Sequence, residues 1–339
     1  MIVVVSARAS AAQIEALLQE IRDKGFTPHK LVGEVKTVIA CIGDNKAKEA
    51  LKAHLVALPE VESVLAITKE YKLAARTDTN QRTVLDIRGV KVGGPEIVVV
   101  GGPCSVESQA QITTIGTFVK KAGGKMLRGG AYKPRTSPYN FQGQGEDGLK
   151  QLAAARDVTG LPIVSEIMDH AKLDLMEKYV DVLQVGARNT QNFELLKALG
   201  RSTKTVLLKR GMATTLDELL NCAEYVLAGG NPNVILCERG IRTFEKATRN
   251  TLDLNAVPYL KDHSHLPVAV DPSHGIGIRK YVTQMALAGV AAGADMLLIE
   301  AHTNPEIAWS DGQQTLNEAE FADMIARARV VAQAVGRTL

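Results

Sequence analysis

The chain has 339 residues, of which 45% are hydrophobic and 23% are charged. This is ordinary globular composition, and it excludes a disordered, collagen-like or coiled-coil protein. The 40 Lys and Arg residues against 37 Asp and Glu residues give a net charge of +3, which is too even to indicate nucleic acid or an anionic membrane as a partner.

The cysteines and the amino terminus indicate a soluble protein of a reducing compartment. The four cysteines share no CxxC spacing and no small secreted frame, so we expect thiols rather than disulfides. The opening run MIVVVSAR is too short for a signal peptide and has no basic region before it. Nowhere do about 18 uninterrupted apolar residues occur, the length of a membrane span. We therefore expect a cytoplasmic location and no membrane partner.

Residues 1–68 have the pattern of a small separate domain. MIVVVS predicts a strand, helical periodicity follows over 14–21, and the segments PHKLVGEV and KTVIACIG are extended. A second helical pattern over 51–58 and the strand-like segment VESVLAIT complete the order βαββαβ. That order is ferredoxin-like.

Residues 69–94 are predicted to be a linker that ends in a hairpin. The segment KEYKLAARTDTNQRTVLDIRGVKVGG lacks sustained periodicity, and Arg88-Gly89 lies between two short apolar stretches. A domain boundary near residue 70 follows.

Residues 95–339 repeat one sequence pattern, in which a short apolar run is followed by a polar cluster and then by a helical pattern. Most of the runs are continuous, as in parallel strands that are buried on both faces. The eight runs are EIVVVGGPC, KMLRGGA, LPIVSEI, VDVLQVGAR, TVLLKRG, VILCERG, PVAVDPSH and ADMLLIEAH. Eight such units in roughly 250 residues predict an α/β fold, the (β/α)8 TIM barrel, which the preceding hairpin would cap. A doubly wound sheet is the alternative, but its GxGxxG turn is missing.

The carboxyl end of a barrel carries the active site, and here the strands end on charged or metal-ligating side chains. One group could hold a divalent ion, namely Cys104, His274, Glu300 and, in the loop after the last strand, Asp311. A thiolate, an imidazole and two carboxylates suit a transition metal such as Mn, Fe, Co or Zn better than Mg. Asp271 could orient the histidine. Each residue alone has an ordinary explanation, such as a turn-forming Asp311 before glycine.

A second group consists of cations at the same strand ends or in the loop after the second strand. They are Arg128, Lys133, Arg135, Arg188, Lys209 and Arg239. Arg forks match phosphate and carboxylate oxygens and Lys acts as a point charge, so we predict one or two phosphorylated small molecules as substrates. A solvated charge run is the ordinary alternative, but these cations recur along the strands rather than in one block.

The segments GGPCSVES, LRGGAYKPRTSP, VGARN, LLKRG, CERG, DPSHGIG and LIEAH resemble the 3-deoxy-D-arabino-heptulosonate 7-phosphate (DAHP) synthases. These transferases open the shikimate pathway of aromatic amino acid biosynthesis, and the subgroup in question has a short barrel and an amino-terminal ferredoxin-like domain. The most specific segment is KPRTSP. The related 3-deoxy-D-manno-octulosonate 8-phosphate synthases, which use arabinose 5-phosphate, carry a different sequence there and are the second interpretation.

The resemblance implies a condensation of phosphoenolpyruvate with erythrose 4-phosphate, and it assigns roles by position. The divalent metal would be bound by Cys104, His274, Glu300 and Asp311, and the cysteine implies metal dependence. The phosphate of phosphoenolpyruvate would be held by Arg188, Lys209 and Arg239. Its carboxylate side would face Arg128 and Lys133, and the phosphate of erythrose 4-phosphate would be held by Arg135 and Thr136.

The implied reaction is aldol-like. The metal polarises the aldehyde, C3 of phosphoenolpyruvate attacks it, water adds at C2 and phosphate leaves. Lys133, Glu166 and His274 are rival acid/base residues, which the sequence does not rank. A barrel that only binds phosphorylated ligands is a further alternative, although it would need the cations and not Cys104 or Glu300.

For residues 1–68 the resemblance implies feedback inhibition by Tyr or Phe, bound between such domains of neighbouring subunits. The subgroup tends to form homotetramers. The plain alternative is a domain that only stabilises an oligomer or covers the barrel.

Overall fold

The computed structural model of the chain describes residues 1–6, 8–32, 37–43, 47–65, 71–77, 81–133, 137 and 139–339. Two predicted substrate residues, Arg135 and Thr136, lie outside the described residues, as do 33–36 and 66–68 of the predicted strands. The chain divides into two compact units, Met1–Glu70 and Tyr71–Leu339.

The amino-terminal unit is an antiparallel sheet with two helices. Its strands lie in the order β2-β3-β1-β4, which confirms the ferredoxin-like prediction. The elements are β1 Ile2–Val5, α1 Ala11–Asp23, β2 Thr27–Val32, β3 Thr37–Ile42, α2 Lys48–Val56 and β4 Val61–Leu65. Helix α1 begins at a capping box between Ser10 and Gln13 and buries Leu17, Leu18 and Ile21. Helix α2 ends before the last position of the predicted 51–58 pattern.

The predicted hairpin consists of β5 (Leu85–Ile87) and β6 (Val90–Val92). Arg88 and Gly89 form its turn with φ of 52° and 88°, as a type I′ turn requires. The Asp86 carboxylate accepts a hydrogen bond of 2.7 Å from the Gly89 N–H. Three apolar side chains of the hairpin join the core inside the barrel, so the hairpin caps the barrel.

The second unit contains a closed barrel of eight parallel strands, as predicted. The strands are β7 Val98–Gly102, β8 Met126–Arg128, β9 Ile163–Ile167, β10 Val182–Val185, β11 Thr205–Lys209, β12 Val234–Glu238, β13 Val268–Val270 and β14 Met296–Glu300. They pair in sequence order, and β14 closes on β7, with Met296 opposite Val98. Almost every strand residue is buried, because the strands are covered by side chains inside and helices outside.

Helices surround the barrel. They are α3 Gln109–Ala122, α4 Glu146–Thr159, α5 Leu173–Tyr179, α6 Phe193–Leu199, α7 Leu216–Ala228, α8 Ala256–His263, α9 Pro272–Ile276, α10 Arg279–Ala291 and α11 Glu318–Ala334. Helix α7 illustrates their sequence signals, since it begins at a capping box between Thr215 and Glu218 and ends at Gly229. In the part of the chain that the structure describes, no helix is long and apolar enough to span a membrane.

Candidate active site

The carboxyl ends of the strands surround a cavity of about 410 Å³. Among the described residues, its wall includes seven Arg and Lys side chains and two carboxylates, from Glu166 and Asp311. The cations are Arg128, Lys133, Arg188, Lys209, Arg239, Arg242 and Arg249. The structure therefore brings together all the predicted cations that it describes. This cation-rich wall suits anionic small molecules.

Three of the four predicted metal ligands lie together beside the cavity. Cys104, Glu300 and Asp311 each offer a ligand atom within 4.8 Å of the others, and we call these three residues the thiol–carboxylate cluster. The Cys104 Sγ donates to Asp311 Oδ2 at 3.2 Å. Glu300 is fully buried, and its Oε1 has no hydrogen-bond partner among the described residues. This oxygen lies 3.2 Å from Arg128 Nη2 without a hydrogen bond, so a lone pair is available to a metal ion, and a thiol beside two carboxylates fits a divalent transition metal.

His274, the fourth predicted ligand, lies next to the cluster rather than within it. Its Nε2 is 3.4 Å from Glu300 Oε1, and its Nδ1 is 2.8 Å from Asp271 Oδ2. Burial lowers the pKa of His274, although both carboxylates oppose the change, and this favours the neutral ring. A neutral ring that donates from Nδ1 to Asp271 presents Nε2 as a ligand atom. Asp271 thus orients the ring, and it also accepts a hydrogen bond from Lys209 Nζ.

Lys133 is held against the cysteine of the cluster. It is buried, and its Nζ donates to the Cys104 carbonyl oxygen at 2.6 Å and to Sγ at 3.0 Å. Burial raises the pKa of the Cys104 thiol to about 11, with Glu300 adding to the rise and Lys133 opposing it. A thiol must lose its proton to bind a metal, so the lysine favours the form that the metal requires.

Arg128 and Arg239 are buried cations with few hydrogen bonds to the described residues, although nearby carboxylates raise the pKa of Arg128 despite its burial. Each is 5% exposed. Arg128 Nη2 lies 3.2 Å from Glu300 Oε1, but Nη1 has no hydrogen-bond partner among the described residues. The side chain of Arg239 has one hydrogen bond in the described part of the chain, to the Gly240 carbonyl oxygen at 3.4 Å. Burial lowers the pKa of Arg239. Buried guanidinium groups with N–H donors that are not fully used suit an oxyanionic ligand.

Glu166 lies in the cavity wall at β9 and is not part of the thiol–carboxylate cluster. Its Oε2 accepts a hydrogen bond of 3.4 Å from Gln184 Nε2 on the neighbouring strand. Gly186 leaves room for it, because a Cβ there would lie 2.1 Å from Glu166 Oε1. The carboxylate is therefore positioned to face a ligand in the cavity.

The loop after β8 is anchored at its far end. The Phe141 ring packs edge-on against Trp309 at 4.9 Å between ring centroids. The Lys133 N–H donates to the Gln142 carbonyl oxygen at 2.9 Å. The Trp309 N–H in turn donates to Glu107 Oε1 at 2.8 Å. These contacts join the loop that carries Lys133 to the loop that carries the last residue of the cluster.

Asp311 combines its predicted turn-forming role with a place in the cluster. Its φ of 53° is in the left-handed region, where Asp is one of the tolerated residues. A Cβ on Gly312 would lie 2.2 Å from the Pro305 carbonyl oxygen, so the turn requires glycine there. The turn places the carboxylate against Cys104, and a left-handed residue of this kind is common at functional sites.

Sequence reasoning missed five residues near the site. They are Gln184, Arg242, Arg249, Asn250 and Gln314. Gln184 is on a predicted strand, and Arg242 follows a predicted cation by three residues. Both could have been found by searching for polar side chains at and just after the strand ends. Arg249 and Asn250 lie in the long loop between β12 and α8, and no periodicity marks them.

Family models match nearly the whole chain. Residues 70–333 match the DAHP synthetase I family, and residues 1–69 match the DAHP synthase ferredoxin-like domain. A phospho-2-dehydro-3-deoxyheptonate aldolase of Thermotoga maritima is 44% identical over 336 residues, which are 99% of each chain. A 2-dehydro-3-deoxyphosphooctonate aldolase of Caulobacter vibrioides is 30% identical over 258 residues, which are 70% of this chain and 88% of that protein.

Solved structures agree with these relationships. The DAHP synthase of Thermotoga maritima is 42% identical, with a TM-score of 0.81, and the match covers 99% of this chain and 98% of that one. A truncated form of the Thermotoga maritima enzyme has a TM-score of 0.74 at 43% identity and covers 79% of this chain.

Proposed function

The chain belongs to the DAHP synthetase I family of transferases, and we propose that it condenses phosphoenolpyruvate with erythrose 4-phosphate in a metal-dependent reaction. The products are 3-deoxy-D-arabino-heptulosonate 7-phosphate and phosphate. One observation carries the proposal, namely that a cavity lined by seven cations of the described residues lies against the thiol–carboxylate cluster. The cations suit oxyanionic substrates, and the cluster suits the ion.

Phosphoenolpyruvate binds through its two charged ends. Arg188, Lys209 and Arg239 hold the phosphate, and burial of two of them strengthens each charge-assisted hydrogen bond. Arg128 faces the carboxylate, for which its unpartnered Nη1 is the available donor. Clamping both ends fixes C3, the nucleophilic carbon, in one place.

Erythrose 4-phosphate binds beside the cluster. Arg135 and Thr136 hold its phosphate, and Cys104, His274, Glu300 and Asp311 hold one divalent ion of the Mn, Fe, Co or Zn class. The ion, when bound, acts as a Lewis acid on the aldehyde oxygen. Asp271 keeps the His274 ring oriented toward Glu300.

The chemistry joins C3 of phosphoenolpyruvate to the aldehyde carbon. Lys133, held beside Cys104, delivers a proton to the new hydroxyl group. Water adds at C2, and the C2–O bond breaks as phosphate leaves. Glu166 and His274, which both line the cavity, are the rival acid/base residues.

The test is the loss of phosphoenolpyruvate absorbance when purified protein receives erythrose 4-phosphate or arabinose 5-phosphate, each with Mn²⁺ or with a chelator. We expect turnover with erythrose 4-phosphate and metal only. Turnover with arabinose 5-phosphate instead would favour the octulosonate reaction, which the 30% identity to the Caulobacter vibrioides protein keeps as the second candidate. Turnover with neither would indicate a binding protein.

Residues 1–68 serve as a regulatory domain that binds Tyr or Phe, 69–94 as linker and capping hairpin, and 95–339 as the catalytic domain. The match to the DAHP synthase ferredoxin-like domain supports this division. Deletion of residues 1–70 should leave an active barrel that neither amino acid inhibits. An inactive aggregate would favour a structural role.

The protein works as a cytoplasmic homotetramer in this proposal. Light scattering on the purified protein measures the mass directly, and a mass of one or two chains would contradict it.

A further inference from the structure

Two side chains, Gln314 and Arg249, hold the acidic residues of the thiol–carboxylate cluster from outside. Gln314 is fully buried, and both ends of its amide are used. Its Nε2 donates to Glu300 Oε2 at 2.6 Å, and its Oε1 accepts from Arg249 Nη1 at 2.6 Å. The same Arg249 guanidinium lies 3.6 Å from Asp311 Oδ1. One arginine therefore contacts one acidic residue of the cluster directly and the other through an amide.

This arrangement fixes which carboxylate oxygen faces the cluster. Gln314 occupies Glu300 Oε2, which leaves Oε1 as the oxygen without a hydrogen bond, 3.2 Å from Arg128 Nη2 and 3.4 Å from His274 Nε2. A carboxylate that is held by one oxygen cannot rotate without losing a short hydrogen bond in a buried place. The positive charge of Arg249 also offsets the repulsion between the acidic residues.

The loop that supplies Arg249 is itself fastened next to the cluster. The Arg249 N–H donates to the Ile276 carbonyl oxygen at 3.1 Å. Asn250 Nδ2 donates to the His274 carbonyl oxygen at 3.0 Å. Gly277, with φ of 68°, packs so closely on the arginine that a Cβ there would lie 2.3 Å from Arg249 Cβ. Arg249 thus contacts Asp311 directly and Glu300 through Gln314, and Asn250 holds the backbone of His274.

We propose that Arg249 and Gln314 are positioning residues, which hold the acidic groups of the thiol–carboxylate cluster in the arrangement that a divalent cation needs. The inference rests on the proposed metal dependence. Removing such outer partners of a metal site typically weakens metal affinity 10–100-fold. We therefore expect the Kd for Mn²⁺ to rise by about tenfold or more in Gln314→Leu and in Arg249→Met.

The experiment is Mn²⁺ titration calorimetry on the metal-free full-length protein and its variants. Lys246→Met is the matched control, because Lys246 is an exposed cation of the same loop and the variant loses the same charge. We expect its Kd to equal that of the wild type. Arg249→Lys keeps the positive charge but loses the planar guanidinium group with its several N–H donors. Its Kd for Mn²⁺ should therefore lie between those of the wild type and Arg249→Met.

A spectroscopic readout separates positioning from general damage. Co²⁺ bound to the Cys104 thiolate absorbs through charge transfer from sulfur, and we expect the band to shift or weaken in both variants at saturating Co²⁺ and to stay unchanged in Lys246→Met. Arg249 is a third exposed, so its variant tests the inference even if the buried Gln314→Leu does not fold.

Two failures can be told apart. If the wild type binds no Mn²⁺ and shows no thiolate band with Co²⁺, the proposed metal dependence is wrong, and the inference falls with it. If the wild type binds both ions through Cys104 while Arg249→Met binds Mn²⁺ as tightly with an unchanged Co²⁺ band, only the positioning role is overturned.

Discussion

Two buried charges at opposite ends of the barrel, Asp295 and Arg239, differ in how many partners they have. At the amino end, the buried Asp295 carboxylate accepts from Lys261 Nζ at 2.7 Å, Arg337 Nη2 at 3.2 Å and the Val268 N–H at 3.0 Å. At the carboxyl end, the buried Arg239 has only a long hydrogen bond to a carbonyl oxygen among the described residues.

We infer from this difference that Asp295 contributes to folding stability and that Arg239 contributes to ligand binding. A buried charge whose partners all come from the chain contributes to folding, and its loss leaves those partners uncompensated. A buried cation with few partners lowers the free energy of unfolding, and a bound anion raises it again. The division agrees with the general placement of active sites at the carboxyl ends of barrel strands.

The largest expected effect comes from Cys104→Ala at the carboxyl end. A Lewis acid supplies several kcal/mol of transition-state stabilisation, so kcat should fall by on the order of 10³-fold or more. The melting temperature should stay within a few degrees of the wild type, because Cys104 is not part of the apolar core clusters. Steady-state kinetics and thermal melting check both. Full activity in chelator-treated Cys104→Ala protein would contradict the metal site.

Asp295→Asn, at the amino end, should lower stability and leave catalysis unchanged. Loss of this carboxylate leaves two cations beside an uncharged amide, so the free energy of unfolding should fall by about 3 kcal/mol. Urea denaturation measures it. The folded variant should keep wild-type kcat and KM values. A catalytic defect without loss of stability would contradict the assignment of Asp295 to folding.

Arg188→Met should affect binding alone. Arg188 is exposed at the rim of the cavity, so the unfolding free energy should stay unchanged within about 0.5 kcal/mol. The lost hydrogen bonds to a charged phosphate should raise the KM for phosphoenolpyruvate by about 10-fold or more. The KM for erythrose 4-phosphate is the internal control. Equal rises in both KM values would place Arg188 elsewhere in the mechanism.

The smallest effect is expected from Arg88→Ala in the capping hairpin. Arg88 lies 3.6 Å from the buried Asp181, but its side chain is 57% exposed, so water screens the pair. Such a pair contributes at most about 0.5 kcal/mol. Urea denaturation should show a change of that size or none. A loss several times larger would mean that the hairpin turn itself depends on this side chain.

Sequence reasoning predicted the barrel and most of its site because parallel strands leave a strong signal. Each strand is a continuous apolar run, and the side chain that ends the run must face the carboxyl end of the barrel. Cys104, Arg128, Lys209, Arg239 and Glu300 were found in this way, and the structure brings them together around one cavity and the cluster beside it.

Residues that reach the site from long loops could not be predicted in the same way. Arg249 lies in a loop whose course depends on hydrogen bonds to residues 274 and 276, which are distant in sequence. Gln314 is a buried amide in a polar segment, and its partners become visible only in three dimensions. Such positions depend on tertiary contacts rather than on periodicity.

Arg239, at the carboxyl end of the barrel, is buried with little compensation of its charge, and we attribute this to substrate binding. The most direct measurement is urea denaturation of the wild type and of Arg239→Met, each with and without phosphoenolpyruvate. Replacing the poorly paired cation should raise the stability of the ligand-free protein by about 1 kcal/mol. Saturation at about 100 times Kd should add about 2.7 kcal/mol to the wild type and far less to the variant. A ligand-free variant that is less stable than the wild type, and that phosphoenolpyruvate stabilises equally, would contradict the account.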